Sequence, residues 1–401
     1  MKKLLLLGGL FYLKPVIDAA HKLGIHVITC DYLPDNIAHK YSDEYHNVSI
    51  VDKEAVLELA KKLKVDGIMS FAVDPGVVSA AYVAEKLGLP FAGGYESVRI
   101  LQNKDLFRKF LADNQFHVPV SNGYTNLGQA LADLDRFKFP VIVKPTDSAG
   151  SKGVTRVDNI NDISTAFNHA MENSISGTVI IEEFIEKLGC SSDADSFSID
   201  GKMALTTFNA QYFDADASNP YTPSAYSWPS TFTAEQSEYL TSELQRLITL
   251  LNLKTSIYNI ETRIGTDGKP YIMEMSPRGG GNRLAEMERM ISGNDMIEAS
   301  VRAAVGMPLN EFPNNPMEGC WAEIILHSDS DASGAFKEVL VSDDYENYVR
   351  RMDLYIEPGD MVVPFSGANN AIGTLVMNFP DIKTMNNALS TQNKWIKIVL
   401  D

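Results

Sequence analysis

The first hundred residues alternate short apolar runs with helix-like segments, and that rhythm leaves few architectures open. Residues 4–7 are an unbroken run of leucine, the length of a buried strand. Residues 15–23 read as a helix, with Pro15 in its first turn and Gly24 just past its end. A strand follows at 26–30, a helix at 54–63, a strand at 67–72, and a helix at 77–87 that Gly88 stops. A helix between two strands carries the chain back to the same end of the sheet, so the strands pair in parallel. The expectation is an α/β start: an open, mainly parallel sheet with helices on its faces.

Near residue 139 the pattern becomes α+β. Strands at 141–144 and 154–157 flank a glycine-containing loop, and 179–182 is a third strand. Residues 196–200 and 203–208 read as a hairpin around Gly201-Lys202. Residues 214–230, with three prolines among Asn, Ser and Tyr, read as a loop. Single helices are expected over 232–251 and 284–305. Strands at 256–263 and 271–275 flank Thr266-Asp267-Gly268-Lys269, and short strands return from about Gly319. At ~100–200 residues per domain, 401 residues make two to four folding units.

Charge and cysteine content exclude whole classes of partner. There are 35 Lys+Arg against 52 Asp+Glu, a net charge of −17. Nucleic acid and anionic membranes require a basic surface, so neither is expected as a partner. A bound phosphate needs only a few local cations and stays open. Cys30, Cys190 and Cys320 are far apart and lack CxxC spacing, which fits a reduced cytoplasm without disulfides or zinc. The apolar run 4–13 after Lys2-Lys3 has signal-peptide length, but Gly8-Gly9 interrupts it and a buried strand explains it better.

Three segments carry chemistry. Gly8-Gly9 and Asp31 follow the layout of a dinucleotide-binding turn, yet the GxGxxG spacing is missing and a plain strand–helix turn is the better reading. Val141-Ile142-Val143-Lys144-Pro145 ends a strand in a lysine. The loop after it, Asp147 through Ser148, Ala149, Gly150, Ser151, Lys152 and Gly153, is built of small residues that let backbone N–H groups approach phosphate oxygens. The third segment is the hairpin. If Asp267-Gly268 is a two-residue loop, Glu261 lies opposite Glu274, and Asn259 opposite Ser276. A three-residue loop would break that register. Like charges directly opposite are destabilising unless they are exposed and apart, or a cation lies between them. Paired carboxylates suit Mg²⁺ completed by substrate phosphates. Glu274 then leads into Met275-Ser276-Pro277-Arg278 and three glycines. His117, His169 and His327 lack partner spacing, and Met287, Met290 and Met296 read as core; Asp74-Pro75-Gly76, at the mouth of the parallel sheet where ligands collect, reads as a simple turn or as a contact to the second substrate.

Taken in order, Lys104, the 141–154 segment, Glu182-Glu183-Phe184-Ile185, Glu261, and Glu274 through Arg278 resemble the ATP-grasp superfamily. The resemblance spans essentially the whole chain. It implies an ATP-grasp fold with three parts. Residues 1–100 form a Rossmann-like pre-ATP-grasp domain. Residues 101–318 form the ATP-grasp domain, in subdomains of about 101–180 and 181–318. Residues 319–401 form a small β-rich domain.

The resemblance also implies roles. Lys104 and Lys144 hold the nucleotide phosphates. Ser148, Gly150, Ser151 and Gly153 belong to a lid over them, from which Lys152 reaches the transferred group. Glu182, Glu183, Phe184 and Ile185 receive adenine through backbone atoms. Glu261 and Glu274 bind Mg²⁺, or Mn²⁺ in its place, and Arg278 steadies the phosphoryl group. The family's third metal ligand is Asn, where this chain has Ser276; Asn259, expected beside Ser276, is a second candidate. The acid that meets the ribose is unassigned, with Asp193 a candidate. A cytoplasmic ATP-dependent ligase follows, joining a small-molecule carboxylate to an amine and releasing ADP and phosphate; the family often dimerises. An amino-acid or dipeptide ligase is the first expectation and a purine-pathway enzyme of the phosphoribosylglycinamide ligase kind the second. A nucleotide-binding protein without catalysis (from Ser276) and an NAD-dependent oxidoreductase (from Gly8-Gly9 and Asp31) are the rivals.

Overall fold

The protein is described from a computed structural model, which covers residues 1–148, 150, 152–313, 315–328 and 332–401. The chain forms two compact units. The first comprises Met1–Leu188, Ala194–Thr207 and Thr233–Asn314; the second comprises Gly189–Asp193, Phe208–Phe232 and Asn315–Asp401. The second is therefore wider than the 319–401 segment expected, because it takes two earlier stretches of chain.

In the first unit, Lys3–Leu7, His26–Asp31 and Gly67–Ser70 pair in parallel, with Glu44–Asn47 added at the edge. Helices Lys14–Lys22 and Lys53–Leu63 lie between these strands in the chain, and Asp74–Leu87 follows the last of them. Leu4 to Leu7 are fully buried, as strands covered on both faces must be. Gly8 has φ +116°, and a Cβ there would lie 2.8 Å from Val73 Cγ2. The carboxylate of Asp31 accepts bonds from Leu33 N and Asn36 Nδ2. Both features are thus accounted for by local packing, as the plain-turn reading expects.

A second sheet of the first unit orders its antiparallel strands as Ser121–Tyr124, Val179–Glu183, Val141–Pro145 and Thr155–Val157. A third contains the hairpin of Ser256–Ile264 and Pro270–Ser276. The single helix expected over 284–305 is two, Leu284–Ser292 and Met296–Ala304. Gly293, at φ +79°, ends the first in a left-handed cap, and the Asp295 side chain caps the second.

The second unit holds a five-stranded sheet, ordered Ala210–Phe213, Pro223–Trp228, Cys320–Leu326, Gly373–Phe379 and Val349–Leu354. One face of it builds an apolar core with Ala322, Ile324, Leu375, Met377 and Trp395. Pro223–Trp228 corrects the expected loop over 214–230. Pro223 opens the strand, where its missing N–H costs little, and the β-forming Tyr226 and Trp228 follow it. Among the described residues no helix is long and apolar enough to cross a membrane.

Candidate functional site

Apart from Asp193, the sequence-predicted site residues that the structure describes lie in the first unit. The hairpin supplies the acids. Glu261 faces Glu274, and Asn259 faces Ser276, as the two-residue-loop register expects. The route to that register differs. Gly265 N donates to Lys269 O, so three residues, Thr266, Asp267 and Gly268, form the loop. Gly268 takes φ +77°, which favours glycine. Nearer the loop, Thr262 pairs with Ile272, and between Glu261 and Thr262 the register slips by one, leaving Met273 as a bulge. The longer loop and the bulge cancel.

Both acids are partly accessible, at 31% and 38% of the side chain. Arg263 Nη2 lies 2.8 Å from Glu261 Oε1, and Lys104 Nζ lies 4.0 Å from Glu274 Oε2. Among the described residues no three His, Cys, Asp or Glu side chains converge on one point. Two opposed carboxylates are nevertheless a hard-oxygen set that fits Mg²⁺, which is commonly held by one or two carboxylates plus phosphate oxygens.

Ser276 and Asn259 take other partners. The Ser276 hydroxyl is buried, donates to Asp74 Oδ1 at 2.9 Å and accepts from Gln102 Nε2 at 2.7 Å. Asn259 Oδ1 accepts from Arg278 Nη1 at 2.8 Å, while its Nδ2 donates to Asp195 Oδ1 at 3.3 Å. Both side chains therefore brace Arg278 and its partners. The Arg278 guanidinium meets Asp74 through two bonds, Nε to Oδ1 at 2.8 Å and Nη2 to Oδ2 at 2.6 Å. Burial pushes the Asp74 carboxyl up, but Arg278, together with Ser276 and Lys104, more than offsets this and holds it below the usual carboxylate range. The bidentate fork fixes the guanidinium plane. Asp195 also accepts the Gly280 N–H at 2.8 Å, and a Cβ on Gly280 would lie 2.7 Å from Asn259 Nδ2.

Lys104 begins the helix Lys104–Asp113, and its Nζ donates to Ser148 O at 2.9 Å, tying the loop to the acid pair. In that loop Ser148 Oγ donates to Lys152 O at 3.3 Å, and Gly150 and Gly153 take φ +67° and +72°. The Lys152 side chain is exposed. Ser151 lies outside the described residues. Lys144 Nζ pairs with Glu182 Oε1, and Arg108 Nε reaches Glu182 Oε2 at 2.8 Å. Burial would raise the Glu182 carboxyl, yet the two cations bring it down to about 2. Burial likewise lowers Lys144, and Glu182 offsets only part of that. Arg108 also donates to Met273 O at 2.7 Å, so the bulge and Glu182 share one buried arginine.

Of the hinge residues, Glu183 N donates to Val120 O and Phe184 N to Pro140 O. Those amides are spent inside the sheet. Ile185 follows the strand, its carbonyl accepting from Arg263 Nη1 at 3.3 Å. Asp193, the ribose candidate, belongs to the second unit, where Tyr226 Oη and Gln211 Nε2 donate to it. Sequence reasoning missed Arg108, Asp195, Gln102 and Arg263, and read Asp74 as a turn or a contact to the second substrate, not as the partner of Arg278.

A family profile described as ATP-grasp domain matches residues 137–286, and one described as ATP-grasp N-terminal domain matches residues 17–91. A formate-dependent phosphoribosylglycinamide formyltransferase of Synechococcus sp. (strain WH7803) is 31% identical over 186 residues, 46% of this chain and 48% of its own length. That match spans about half of the relative. The enzyme of the same name from Prochlorococcus marinus (strain NATL2A) is 26% identical over 317 residues, 78% of each chain. The crystal structure of an L-amino acid ligase from Bacillus licheniformis superposes with a TM-score of 0.82 at 19% identity, covering 100% of this chain and 99% of that one.

Proposed function

Because the chain belongs to the ATP-grasp superfamily, we propose that it is an ATP- and Mg²⁺-dependent ligase that activates a carboxylate as an acyl phosphate and passes the acyl group to an amine. The observation that carries this is the register of Glu261 against Glu274, with the Asp74-clamped Arg278 two residues past Ser276. Mg²⁺, when bound, neutralises phosphate oxygens during transfer. Glu261 and Glu274 would hold it, and Mn²⁺ would suit the same oxygens.

The chain's own groups do the rest. Lys104 and Lys144 place cations against the phosphates, and the 148–153 loop excludes water that would hydrolyse an acyl phosphate. The hinge offers the Ile185 amide to adenine, since the neighbouring amides are spent. Arg278 faces the developing phosphoryl charge with its fork already set, so little reorganisation is needed at transfer. A carboxylate oxygen attacks the γ-phosphorus in line, ADP leaves, and the amine displaces phosphate from the acyl group.

For the substrates, the purine-type reading is better supported than the amino-acid or dipeptide ligase. Curated relatives at 26–31% identity are named for formate-dependent formyl transfer to phosphoribosylglycinamide. The amino-acid ligase is a neighbour at 19% identity, a level that supports the fold alone. We therefore assign a small carboxylate as acyl donor and a phosphorylated glycinamide-type amine as acceptor. An ADP-release screen over carboxylates and amines tests this, with Glu274→Ala as control. The expected result is turnover with formate-sized acids, abolished by EDTA and lowered roughly a hundredfold or more by the substitution, since metal electrostatics supply several kcal/mol. Turnover that survives EDTA or Glu274→Ala would sink the reading.

A further inference from the structure

Arg263 has no part in the activity proposed above, yet it touches two of its elements at once. It lies two residues past Glu261 on the same strand, and its side chain is 17% exposed. One guanidinium nitrogen, Nη2, lies 2.8 Å from Glu261 Oε1, and the other, Nη1, donates to the carbonyl of Ile185 at 3.3 Å. Its Nε is buried and has no hydrogen-bond partner among the described residues. We propose that Arg263 is a built-in counter-cation that stands in for the metal at Glu261 and for the base at Ile185 when the site is empty, and so couples the loading of the two.

Two opposed carboxylates repel each other across a hairpin, and the cost is borne whenever no cation is present. Lys104 reaches Glu274 only at 4.0 Å, so the short contact in the pair is the one Arg263 makes to Glu261. A divalent cation at Glu261 must compete with that guanidinium. A purine that takes the Ile185 amide and also donates to the carbonyl of that residue must compete with the same group, at the other arm of its fork. Displacing the fork from one partner weakens its hold on the other, because a planar guanidinium turned away from one acceptor no longer aligns with both. Whichever ligand arrives first removes part of the cost for the second, which is positive coupling between two sites and is reciprocal by linkage. The unpartnered Nε leaves the displaced arginine a donor for a ligand oxygen. This inference rests on the hinge and metal roles proposed above.

The test uses full-length protein, Mn²⁺ as a paramagnetic probe followed by electron paramagnetic resonance, and adenosine, which carries no phosphate to bind metal itself. Glu274→Ala defines the signal that belongs to the acid pair. In the wild type, saturating adenosine is expected to tighten Mn²⁺ binding at that site about fivefold or more, within the usual range for coupled sites. In Arg263→Met, Mn²⁺ should bind about tenfold tighter without adenosine, and adenosine should add nothing further. Arg263→Lys keeps the charge but not the fork, so it should retain weak Mn²⁺ binding and lose the adenosine effect. A thermal melt of each variant checks folding, and if Arg263→Met does not fold, Arg263→Lys decides. Equal Mn²⁺ affinity in wild type and Arg263→Met overturns the proposal, as does an adenosine effect that survives either substitution. The ligase reading is judged separately by ADP release: it can fail while the Mn²⁺ competition stands, or stand while the competition is absent.

Discussion

Glu182 keeps a negative charge at 3% exposure because Arg108 and Lys144 reach its two oxygens from different elements. Arg108 also satisfies the carbonyl of the bulged Met273, so Arg108→Met would leave one oxygen of a buried carboxylate and a buried carbonyl without their donor. The expected loss is ~3–5 kcal/mol of stability, read from urea unfolding. The pH dependence follows from the same residue. The Glu182 carboxyl titrates near 4.5 in the open chain and at about 2 in the fold. A depressed folded value gives stability that is present above the unfolded value and lost as pH falls from about 4.5 towards about 2. Wild type should therefore lose stability more steeply across that window than Glu182→Gln, and parallel profiles would refute it. The lysines and paired acids of this site were legible in the sequence because each sits in a local pattern of strand, loop or hairpin. Arg108 and Asp74 were not, because their partners, Glu182 and Arg278, lie 74 and 204 residues away and are met only after folding.

At the scale of elements, the hairpin shows how a right register was reached by a wrong turn. The sequence pattern placed Glu261 opposite Glu274 from an assumed two-residue loop; the loop has three residues, and the Met273 bulge restores the pairing. Nothing in Tyr271-Ile272-Met273 marks a bulge, since what holds it is Arg108 on a distant helix. Glycines in the two turns should therefore respond differently. A Cβ on Gly268 meets nothing within 4 Å, so Gly268→Ala costs only its backbone strain, ~1 kcal/mol, with activity kept. A Cβ on Gly280 would lie 2.7 Å from Asn259 Nδ2 and 3.0 Å from Asp195 Oδ1, the groups that hold the Arg278 network. Gly280→Ala should lower ADP release ~10-fold or more with nucleotide binding retained. Equal activity in the two variants would show that the Gly280 approach is not needed. The broken helix at Gly293 was less legible, because apolar spacing runs through the glycine and only its left-handed cap reveals the stop.

For the molecule as a whole, the net charge of −17 constrains polymeric anions and leaves a triphosphate open, since Lys104, Lys144 and Arg278 belong to one unit. The parallel sheet was legible from its leucine run and helix stops. The composition of the second unit was not, because a strand opened by Pro223 hides among turn-forming residues. A fragment of residues 315–401 lacks Ala210–Phe213 and Pro223–Trp228, which leaves Cys320–Leu326 as a bare edge. Expressed alone it is expected to aggregate; a dispersed amide spectrum from the soluble fragment would contradict this. The same interleaving sets a schedule for the newborn chain. Trp228 leaves the ribosome 92 residues before Cys320, the first residue of the strand its own strand pairs with. At ~5–20 residues per second, an unpaired strand edge waits about 5–18 seconds for its neighbour. During synthesis, then, this hairpin of the second unit is exposed to chaperones and to other nascent copies before the sheet that buries it exists.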